Sequence, residues 1–177
     1  YDSANFVPQR RRRIYLTCIR QDLLEDVGRF RLPPQVHHRS LDLRDALRMD
    51  PMSAKQKFED YGISERLWRS HLRREAKHIE NGSGFRIGRI TSRTDVCPTL
   101  VARYYKDGKD ALVLRGDSER HRPRMLTPLE CAVLQGFPED FVIHKSKSQA
   151  YRQFGNAITP PVARTIISAL VKQGFLG

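Results

Sequence analysis

The chain has 177 residues, of which 32 are Lys or Arg and 20 are Asp or Glu, giving a formal net charge of +12. A chain of this length with 39% hydrophobic residues can bury a core, so we expect a folded protein rather than a disordered one. No apolar run approaches the ~18 residues of a membrane span and no signal peptide is recognisable, so we expect neither a membrane nor a secreted protein. The arginine excess favours a polyanionic partner, nucleic acid foremost.

A buried strand is the first predicted element. Residues 14–19 form an uninterrupted apolar and β-branched run after four arginines, which is typical of a strand buried on both faces in a parallel sheet. Residues 22–40 are polar, are broken by Pro33-Pro34 and predict an irregular connector. Residues 41–48 then predict a short helix that ends before Pro51.

An amphipathic helix is predicted over residues 64–79, with a stop at Asn81-Gly82. Its apolar stripe recurs at helical spacing: Trp68, Leu72, Ala76 and Ile79. The remaining surface carries five cations: Arg66, Arg69, Arg73, Arg74 and Lys77. The sequence leaves open whether this basic side has a function or is simply a solvated charged face.

Residues 82–115 predict a recognition surface. Gly82, Gly84 and Gly88 would let the backbone approach a ligand closely. A hairpin is predicted downstream, with strands at residues 99–104 and 111–114, and its Tyr104-Tyr105 pair fits core packing equally well. Five arginines in this stretch have the fork that reads guanine edges or grips phosphate: Arg86, Arg89, Arg93, Arg103 and Arg115.

Clearly marked helices are predicted after Arg124. A capping box runs from Thr127 to Glu130, and Gly136 ends this short helix. Residues 149–154 suggest a second helix, stopped by Gly155. Thr159 caps a final helix whose apolar stripe must dock on another surface: Ala163, Ile166, Ile167, Leu170 and Val171.

Three stretches resemble, in order and separation, motifs from the C-terminal half of DNA cytosine-5 methyltransferases. Residues 6–15 (FVPQRRRRIY) resemble the family's Gln-x-Arg-x-Arg motif, which leads into a sheet strand. Residues 124–138 resemble its ninth motif, and residues 153–157 (QFGNA) resemble its tenth. The family's target recognition domain lies between them, where Thr99-Leu100 matches a Thr-Leu pair typical of that domain. The resemblance covers essentially the whole chain.

The family's earlier motifs are not found in this sequence. It has no glycine-rich loop after a first strand to hold S-adenosylmethionine, no Pro-Cys dipeptide with the nucleophile and no Glu-Asn-Val with the acid. Cys97-Pro98 is the reversed dipeptide, and Cys18, Cys97 and Cys131 all read as small buried hydrophobes. The histidines lack ligand-like spacing, so no metal site is expected.

The resemblance implies methyl transfer to a flipped cytosine. In the family a thiolate adds to carbon 6 of the extruded base, and carbon 5 then takes the methyl group from S-adenosylmethionine. Negative charge develops toward the ring oxygen, where a guanidinium is a suitable donor. By resemblance this catalytic donor is Arg13, supported by Arg11, with Gln9 near the emptied site in the DNA. Arg10 and Arg12 point the other way along an extended chain and are expected to bind phosphates or face solvent.

Further site residues follow from the same resemblance. Phe137, Asn156 and Ala157 are assigned to the S-adenosylmethionine pocket, although Asn156 also fits a purely structural helix end. Ala157 stands where the family often has serine, which weakens the case for a side-chain contact. Arg124 matches an arginine that ties the family's two domains together. The residues expected to bind DNA are Gln9, Arg86, Arg89, Arg93, Thr99, Leu100, Arg103 and Tyr104, with Thr99 matched to a phosphate contact.

The predicted fold class is α/β. The chain would be the C-terminal part of a Rossmann-like S-adenosylmethionine-dependent methyltransferase, supplying an edge strand and the terminal helices of the catalytic domain, plus a small mixed, β-rich target recognition domain. Residues 1–30 are assigned to the catalytic strand segment, 31–123 to the connector and recognition domain, and 124–177 to helices that return to the catalytic domain.

The predicted function is the DNA-recognising part of a cytosine-5 methyltransferase that acts on a specific sequence of double-stranded DNA, in a bacterial-type cytoplasm. S-adenosylmethionine would be shared with a complementary subunit carrying motifs I to VII, so the chain alone should not methylate. It would be a natural small subunit of a split enzyme or the tail of a longer chain. The alternatives are a catalytically dead DNA-binding or regulatory module and, less favoured, a basic RNA-binding protein, since the aromatic stacking motifs of common RNA modules are missing.

Overall fold

Short helices surround one small mixed sheet. The computed structural model describes residues 1–35 and 41–176. The strands are β1 (Arg89–Ile90), β2 (Leu112–Val113) and β3 (Arg124–Met125), with β1 parallel and β3 antiparallel to the central β2. The helices, which follow a 3-10 turn at Ser3–Asn5, are α1 (Gln21–Val27), α2 (Leu43–Arg48), α3 (Ala54–Tyr61), α4 (Glu65–Glu80), α5 (Tyr104–Asp107), α6 (Pro128–Leu134), α7 (Lys147–Asn156) and α8 (Pro160–Lys172). Among these described helices, none is long and apolar enough to cross a membrane.

The predicted strand at residues 14–19 is wrong. This stretch has no regular secondary structure, and Ile14 and Leu16 are 86% and 87% exposed. A buried strand needs neighbouring strands to pair its backbone groups, and the described residues place none beside it. The segment therefore exposes its apolar side chains in this chain, which supplies few neighbours of the kind that such a strand needs.

The predicted hairpin is also wrong. Residues 104–107 form helix α5, which ends at Gly108 with φ +63°, so the residues between the two predicted strands belong to a helix and its end instead of a hairpin turn. Strand β2 pairs with the distant β1 and β3. The deciding contact is Tyr104, whose buried hydroxyl donates to Ala111 O at 2.6 Å and accepts from Leu126 N at 2.8 Å. The region expected to be β-rich, residues 31–123, consequently contains two two-residue strands in its described part, β1 and β2.

The predicted helices at residues 41–48, 64–79 and 149–154 and the two C-terminal capped helices are confirmed, whereas α1 and α3 were not predicted. Thr127 accepts from Glu130 N while the Glu130 side chain accepts from Thr127 N, which completes the expected capping box. Thr159 precedes α8 but makes no side-chain cap bond, and Gly155 lies inside α7 rather than stopping it.

Helix α4 buries a different face from the predicted one. Trp68 is buried as expected, but the rest of the buried face is polar, with His71 and Glu75, while Ala76 and Ile79 are exposed. The reason is a set of distant partners: Glu75 accepts from the backbone of Ile87, and His71 contacts a carbonyl in α5. Because of these polar contacts, the side of α4 that is buried differs from the side that its apolar residues alone predict.

Two hydrophobic clusters form the core. The larger unites α2, α5, α6 and α7 around Tyr104, Leu126, Leu134 and Phe154, and the smaller packs Trp68 of α4 against the sheet. The larger cluster draws residues from both sides of the boundary predicted between residues 123 and 124. That boundary, like the rest of the domain division, stays a prediction.

A buried ion-pair network joins α3 to α6 and β3. The fully buried Glu130 accepts from both terminal nitrogens of Arg124, at 2.7 and 2.9 Å, and from Lys57 Nζ at 3.1 Å. Lys57 also lies 3.9 Å from Asp50, whose other carboxylate oxygen accepts from Thr127. Arg124, expected to join two domains, thus binds the helix that begins a few residues after it.

Candidate cofactor and DNA-binding sites

The N-terminal arginines separate into one buried clamp and three exposed cations. Arg11 is 3% exposed and donates to Leu100 O at 3.0 Å and to Gly155 O at 2.8 Å. Burial, with a smaller effect of neighbouring Arg13, lowers the pKa of Arg11 to about 10, which leaves it charged at neutral pH. Arg11 therefore fastens the N-terminal segment to α7 and to the loop before α5.

Arg13 lies two residues further along and is exposed. Its guanidinium donates to the carbonyl of Arg12 at 2.7 Å, while Arg12 pairs with Asp2 at 3.0 Å. Arg10 and Arg12 face solvent, one of the two outcomes expected for them. Within the part of the chain that the structure describes, Arg13 forms no ion pair, so its charge is available to a ligand.

An open, mostly apolar depression contains two of the three predicted cofactor residues. It has a volume of about 600 Å³, and its lining includes Phe137, Ala157, Ile158 and Ile167. Phe137 follows Gly136, whose φ of +75° turns the chain after α6, and its ring lies 5.5 Å from that of Phe154. The walls come from the residues after α6 and from α8, so the fold brings separate motifs to one place.

The third predicted cofactor residue, Asn156, ends helix α7 beside this depression. It is exposed, and its side-chain amide makes no hydrogen bond to any described residue. The alternative in which Asn156 satisfies backbone groups at the helix end therefore has no support in the described contacts. An aromatic edge, an apolar wall and a free amide fit a ligand with an adenosine part and an amino acid end.

Three of the residues expected to bind DNA are buried. Gln9 and Tyr104 are 0% exposed and Leu100 is 1% exposed, so these three do not reach a DNA surface in this structure. Tyr104 and Leu100 are core residues, and the Leu100 carbonyl accepts from Arg11. Gln9 pairs with the distant Cys97 through a β-bridge. Because this partner is far away in the sequence, the motif around Gln9 does not indicate its burial.

The other expected DNA contacts differ in their availability. Thr99 donates to Arg10 O at 2.7 Å and so helps to fix the N-terminal segment. Arg89 is held between Glu75 at 2.5 Å and Glu119 at 2.5 Å, and the hydrogen bond from Arg89 lowers the pKa of Glu75. Arg89 is thus already neutralised, while three arginines remain exposed: Arg86, Arg93 and Arg103.

The cysteines do not form a reactive site in this structure. Cys97 and Cys131 are buried as expected, and burial raises the pKa of both thiols. Cys18 is exposed, so its assignment to a buried position is wrong, for the same reason as the strand that contained it. Among residues 1–35 and 41–176, no group of three or more His, Cys, Asp or Glu side chains is placed to hold a metal ion.

Several residues that build these sites were not identified from the sequence. Gly155 anchors Arg11 through its carbonyl, and a Cβ added at Gly155 would overlap the backbone of residues 101–102, so the position has no room for a side chain. Ile158 and Arg164 line the depression beside Phe137. Gly155 was noted only as a helix stop within the tenth motif, and Ile158 and Arg164 follow that motif without a signal of their own.

The fold is that of a methyltransferase. The structure is similar to that of Schizosaccharomyces pombe Dnmt2 methyltransferase, with a TM-score of 0.60 at 19% identity over 97% of this chain and 55% of that one. It is also similar to the Entamoeba histolytica methyltransferase EhMeth, with a TM-score of 0.51 at 17% identity over 77% of this chain and 42% of that one.

The chain belongs to the C-5 cytosine-specific DNA methylase family, whose model matches residues 1–172. It is 40% identical to type II methyltransferase M.NlaX of Neisseria lactamica over 160 residues, which are 90% of this chain and 47% of that protein. It is 33% identical to type II methyltransferase M1.ScrFI of Lactococcus lactis subsp. cremoris over 94% of this chain and 40% of that protein. It is 35% identical to the DNA-cytosine methyltransferase of Escherichia coli K12 over 96% of this chain and 39% of that protein. The chain therefore spans less than half the length of each of these relatives.

Proposed function

We propose that the chain is the DNA-recognising, C-terminal part of a DNA cytosine-5 methyltransferase. It would act on a flipped cytosine in a specific duplex sequence, and it needs a complementary part that carries the Pro-Cys nucleophile, the glutamate and the cofactor loop. That part would belong to a second subunit or to the same, longer polypeptide. The family membership and the DNA-modifying relatives support the reaction.

The observation that carries this proposal is the half-built pocket around Phe137. Its described walls hold an aromatic ring and apolar side chains, and the exposed Asn156 precedes the lining residue Ala157 in the chain. Ile158 and Ile167 in its lining are 56% and 53% exposed. A pocket that excludes water needs a second wall, because a drug-sized ligand is usually buried over ~70–90% of its surface. The complementary part would supply that wall together with the glycine-rich loop.

S-adenosylmethionine fits this side of the pocket and would supply an activated methyl group on a sulfonium. Phe137 would pack beside the adenosine part, and the Asn156 amide would hydrogen-bond the amino acid end. Ala157 has no polar side-chain atom, so its contribution would be shape alone. We expect Asn156→Ala to weaken cofactor binding to the reassembled enzyme, as measured by calorimetric titration, with the exposed Gln149→Ala at the start of α7 as the matched control.

Arg11 and Arg13 would have different roles in the reaction. Arg11 is a positioning residue, because its buried guanidinium donates to the carbonyls of Leu100 and Gly155. Arg13 is exposed and unpaired by any described acid, so its guanidinium can donate to the ring oxygen of the cytosine as charge develops there.

Arg13→Ala tests this assignment in the reassembled enzyme. Removing one such donor typically costs ~10²–10³-fold in kcat, so we expect turnover to fall much further than DNA affinity. Arg10→Ala is the matched control, since Arg10 is an exposed neighbour expected to face solvent or phosphate. Equal losses of turnover and affinity in the Arg13 variant would reassign that residue to phosphate binding.

The need for a complementary part has its own test. We would isolate the chain under native conditions, identify what accompanies it by mass spectrometry, and assay methyl transfer to duplex DNA with and without that protein. A stoichiometric partner with Pro-Cys and a glycine-rich loop, required for activity, is the expected result. Full turnover by the 177-residue chain alone would refute the proposal. A DNA-binding monomer without methylation in any combination would favour the regulatory module.

A further inference from the structure

A stripe of cations runs along the solvent face of α4. Its members are Arg66, Arg69, Arg73 and Lys77, spaced three or four residues apart, and we call this set the basic stripe. Residues at this spacing share one side of a helix, and the stripe extends for about 16 Å at ~1.5 Å per residue. The opposite side of α4 is the buried face with Trp68, His71 and Glu75. The helix thus carries these cations along one side and turns them all away from the core.

Ion pairing within the chain leaves most of the stripe's charge in place. Among the described residues, Arg66, Arg73 and Lys77 have no ion pair. Arg69 pairs with Glu65 at 3.0 Å, but both side chains are at least half exposed, and such pairs are weak and easily exchanged. Arg74, in contrast, lies over the Phe85 ring and is not part of the stripe.

Helix stability does not explain the pattern. Like charges at i,i+4, as in Arg69 with Arg73 and Arg73 with Lys77, repel one another and destabilise a helix. Arg66 lies in the first turn, where the helix dipole favours an acid over a base. Lys77, in the last turn, is the one member that the helix dipole favours. The repulsion among the cations still costs the free chain stability, and a polyanion bound along the stripe would remove that cost.

We propose that the basic stripe binds the phosphate backbone of duplex DNA, outside the residues that read bases. This rests on the proposed function, since it adds a non-specific anchor to a DNA-recognising chain. The helix packs on the segment that contains Phe85 and the exposed Arg86, so the stripe belongs to the same body as the expected recognition surface. Regularly spaced, solvated cations suit phosphates, which carry no sequence information.

The test is the salt dependence of DNA binding. The chain, with any protein that co-purifies, is titrated into two fluorescein-labelled duplexes of about 30 bp and unrelated sequence at several KCl concentrations, which reports the number of phosphates neutralised. The stripe variant is Arg66→Gln/Arg73→Gln/Lys77→Gln, in which glutamine keeps the helix propensity. The matched control removes three exposed cations elsewhere: Lys55→Gln/Lys145→Gln/Arg152→Gln.

We expect the stripe variant to lose about 2–3 from the slope of log K against log [KCl], at ~0.9 per phosphate contact. Affinity for both duplexes should fall together, by on the order of 10- to 100-fold near physiological salt. The control should keep the wild-type slope. Thermal unfolding without DNA should give the stripe variant a midpoint at or above that of the wild type, which separates lost binding from lost folding.

Other results would overturn the inference. Wild-type slope and affinity in the stripe variant would make the stripe a solvated face or a surface for an acidic protein. A loss confined to one duplex would make it a base-reading element instead of a backbone anchor. In both cases the wild-type chain still binds DNA and the proposed function stands, whereas a wild-type chain that binds neither duplex would refute both.

Discussion

Glu130→Gln is the sharpest test of how this fold is held together. The substitution keeps the size of the side chain and an oxygen that can accept from Thr127 N, so the capping box persists. It removes the negative charge that three donors share: two nitrogens of Arg124 and the ammonium of Lys57. Two cations then remain in the core, with Asp50 at 3.9 Å from Lys57 as the nearest described carboxylate to that ammonium.

The magnitude follows from burial. Glu130 is 0% exposed and the side chains of Lys57 and Arg124 are each 6% exposed, so water cannot replace the lost partner. Removing one member of a buried ion pair typically costs about 3–5 kcal/mol. For a chain of this size that loss lowers the thermal midpoint by roughly 6–20 °C.

The assay is thermal and urea unfolding, followed by circular dichroism and by the fluorescence of the buried Trp68. Glu65→Gln is the matched control, because it breaks an ion pair with Arg69 that is exposed on both sides. We expect that control to change stability by no more than about 0.5 kcal/mol. If Glu130→Gln cost as little as Glu65→Gln, the network would be solvated and the reasoning from burial would fail.

Three further predictions concern the core and its polar contacts. Tyr104→Phe should destabilise the chain more than Tyr151→Phe in urea unfolding. The first substitution leaves two buried backbone groups without a hydrogen-bond partner and the second leaves one, at about 1–3 kcal/mol each. Equal losses of unfolding free energy in the two variants would show that the hydrogen bonds of Tyr104 do not link the helices to the sheet. Glu75 has a pKa held below its usual 4.5 by the hydrogen bond from Arg89, so its stabilisation is present above that pH and is lost as pH falls through the lowered pKa. The gap between the thermal midpoints of wild type and Glu75→Gln should therefore begin to narrow as the pH falls below about 4.5 and should reach its minimum below the lowered pKa, and a gap that stays constant throughout this range would contradict this. Gly155→Ala should lower the thermal midpoint well beyond an exposed glycine change such as Gly84→Ala, since the added Cβ would overlap backbone atoms of Val101 and Ala102, whereas Gly84 has open space around it.

Local signals in the sequence were sufficient to predict most of the helices. The capping box at Thr127, the two prolines that open α8 and the stop at Asn81 act within a few residues, so a reader of the sequence can find them. Helices α1 and α3 were missed. Helix α1 is short and has no side-chain cap bond. Helix α3 begins with an N-cap, in which the Ser53 side chain accepts from Gln56 N, so it carried a local signal that was overlooked. Its position in the fold depends on Lys57 and the distant partner Glu130.

The site was predictable as a set of motifs and much less so residue by residue. Phe137, Ala157 and Asn156 were singled out from sequence, and the fold brings the first two to one depression with the third beside it. Leu100 and Tyr104 were both expected to bind DNA, with core packing as an equal alternative for Tyr104, and both are core residues. A Thr-Leu pair or a tyrosine in a loop carries no local mark of the partners that will cover it.

The sequence by itself determined the family, the order of the motifs, the net positive charge and the limits of most helices, since each depends on identity or on neighbours within one turn. The tertiary contacts alone account for the difference in burial between two neighbouring arginines of one motif. Arg11 is buried and donates to carbonyls that lie 89 and 144 residues away, while Arg13 remains exposed. The sequence was equally insufficient for the secondary structure of residues 14–19. Their apolar run is typical of a strand, but an apolar segment becomes a strand only where other strands lie next to it.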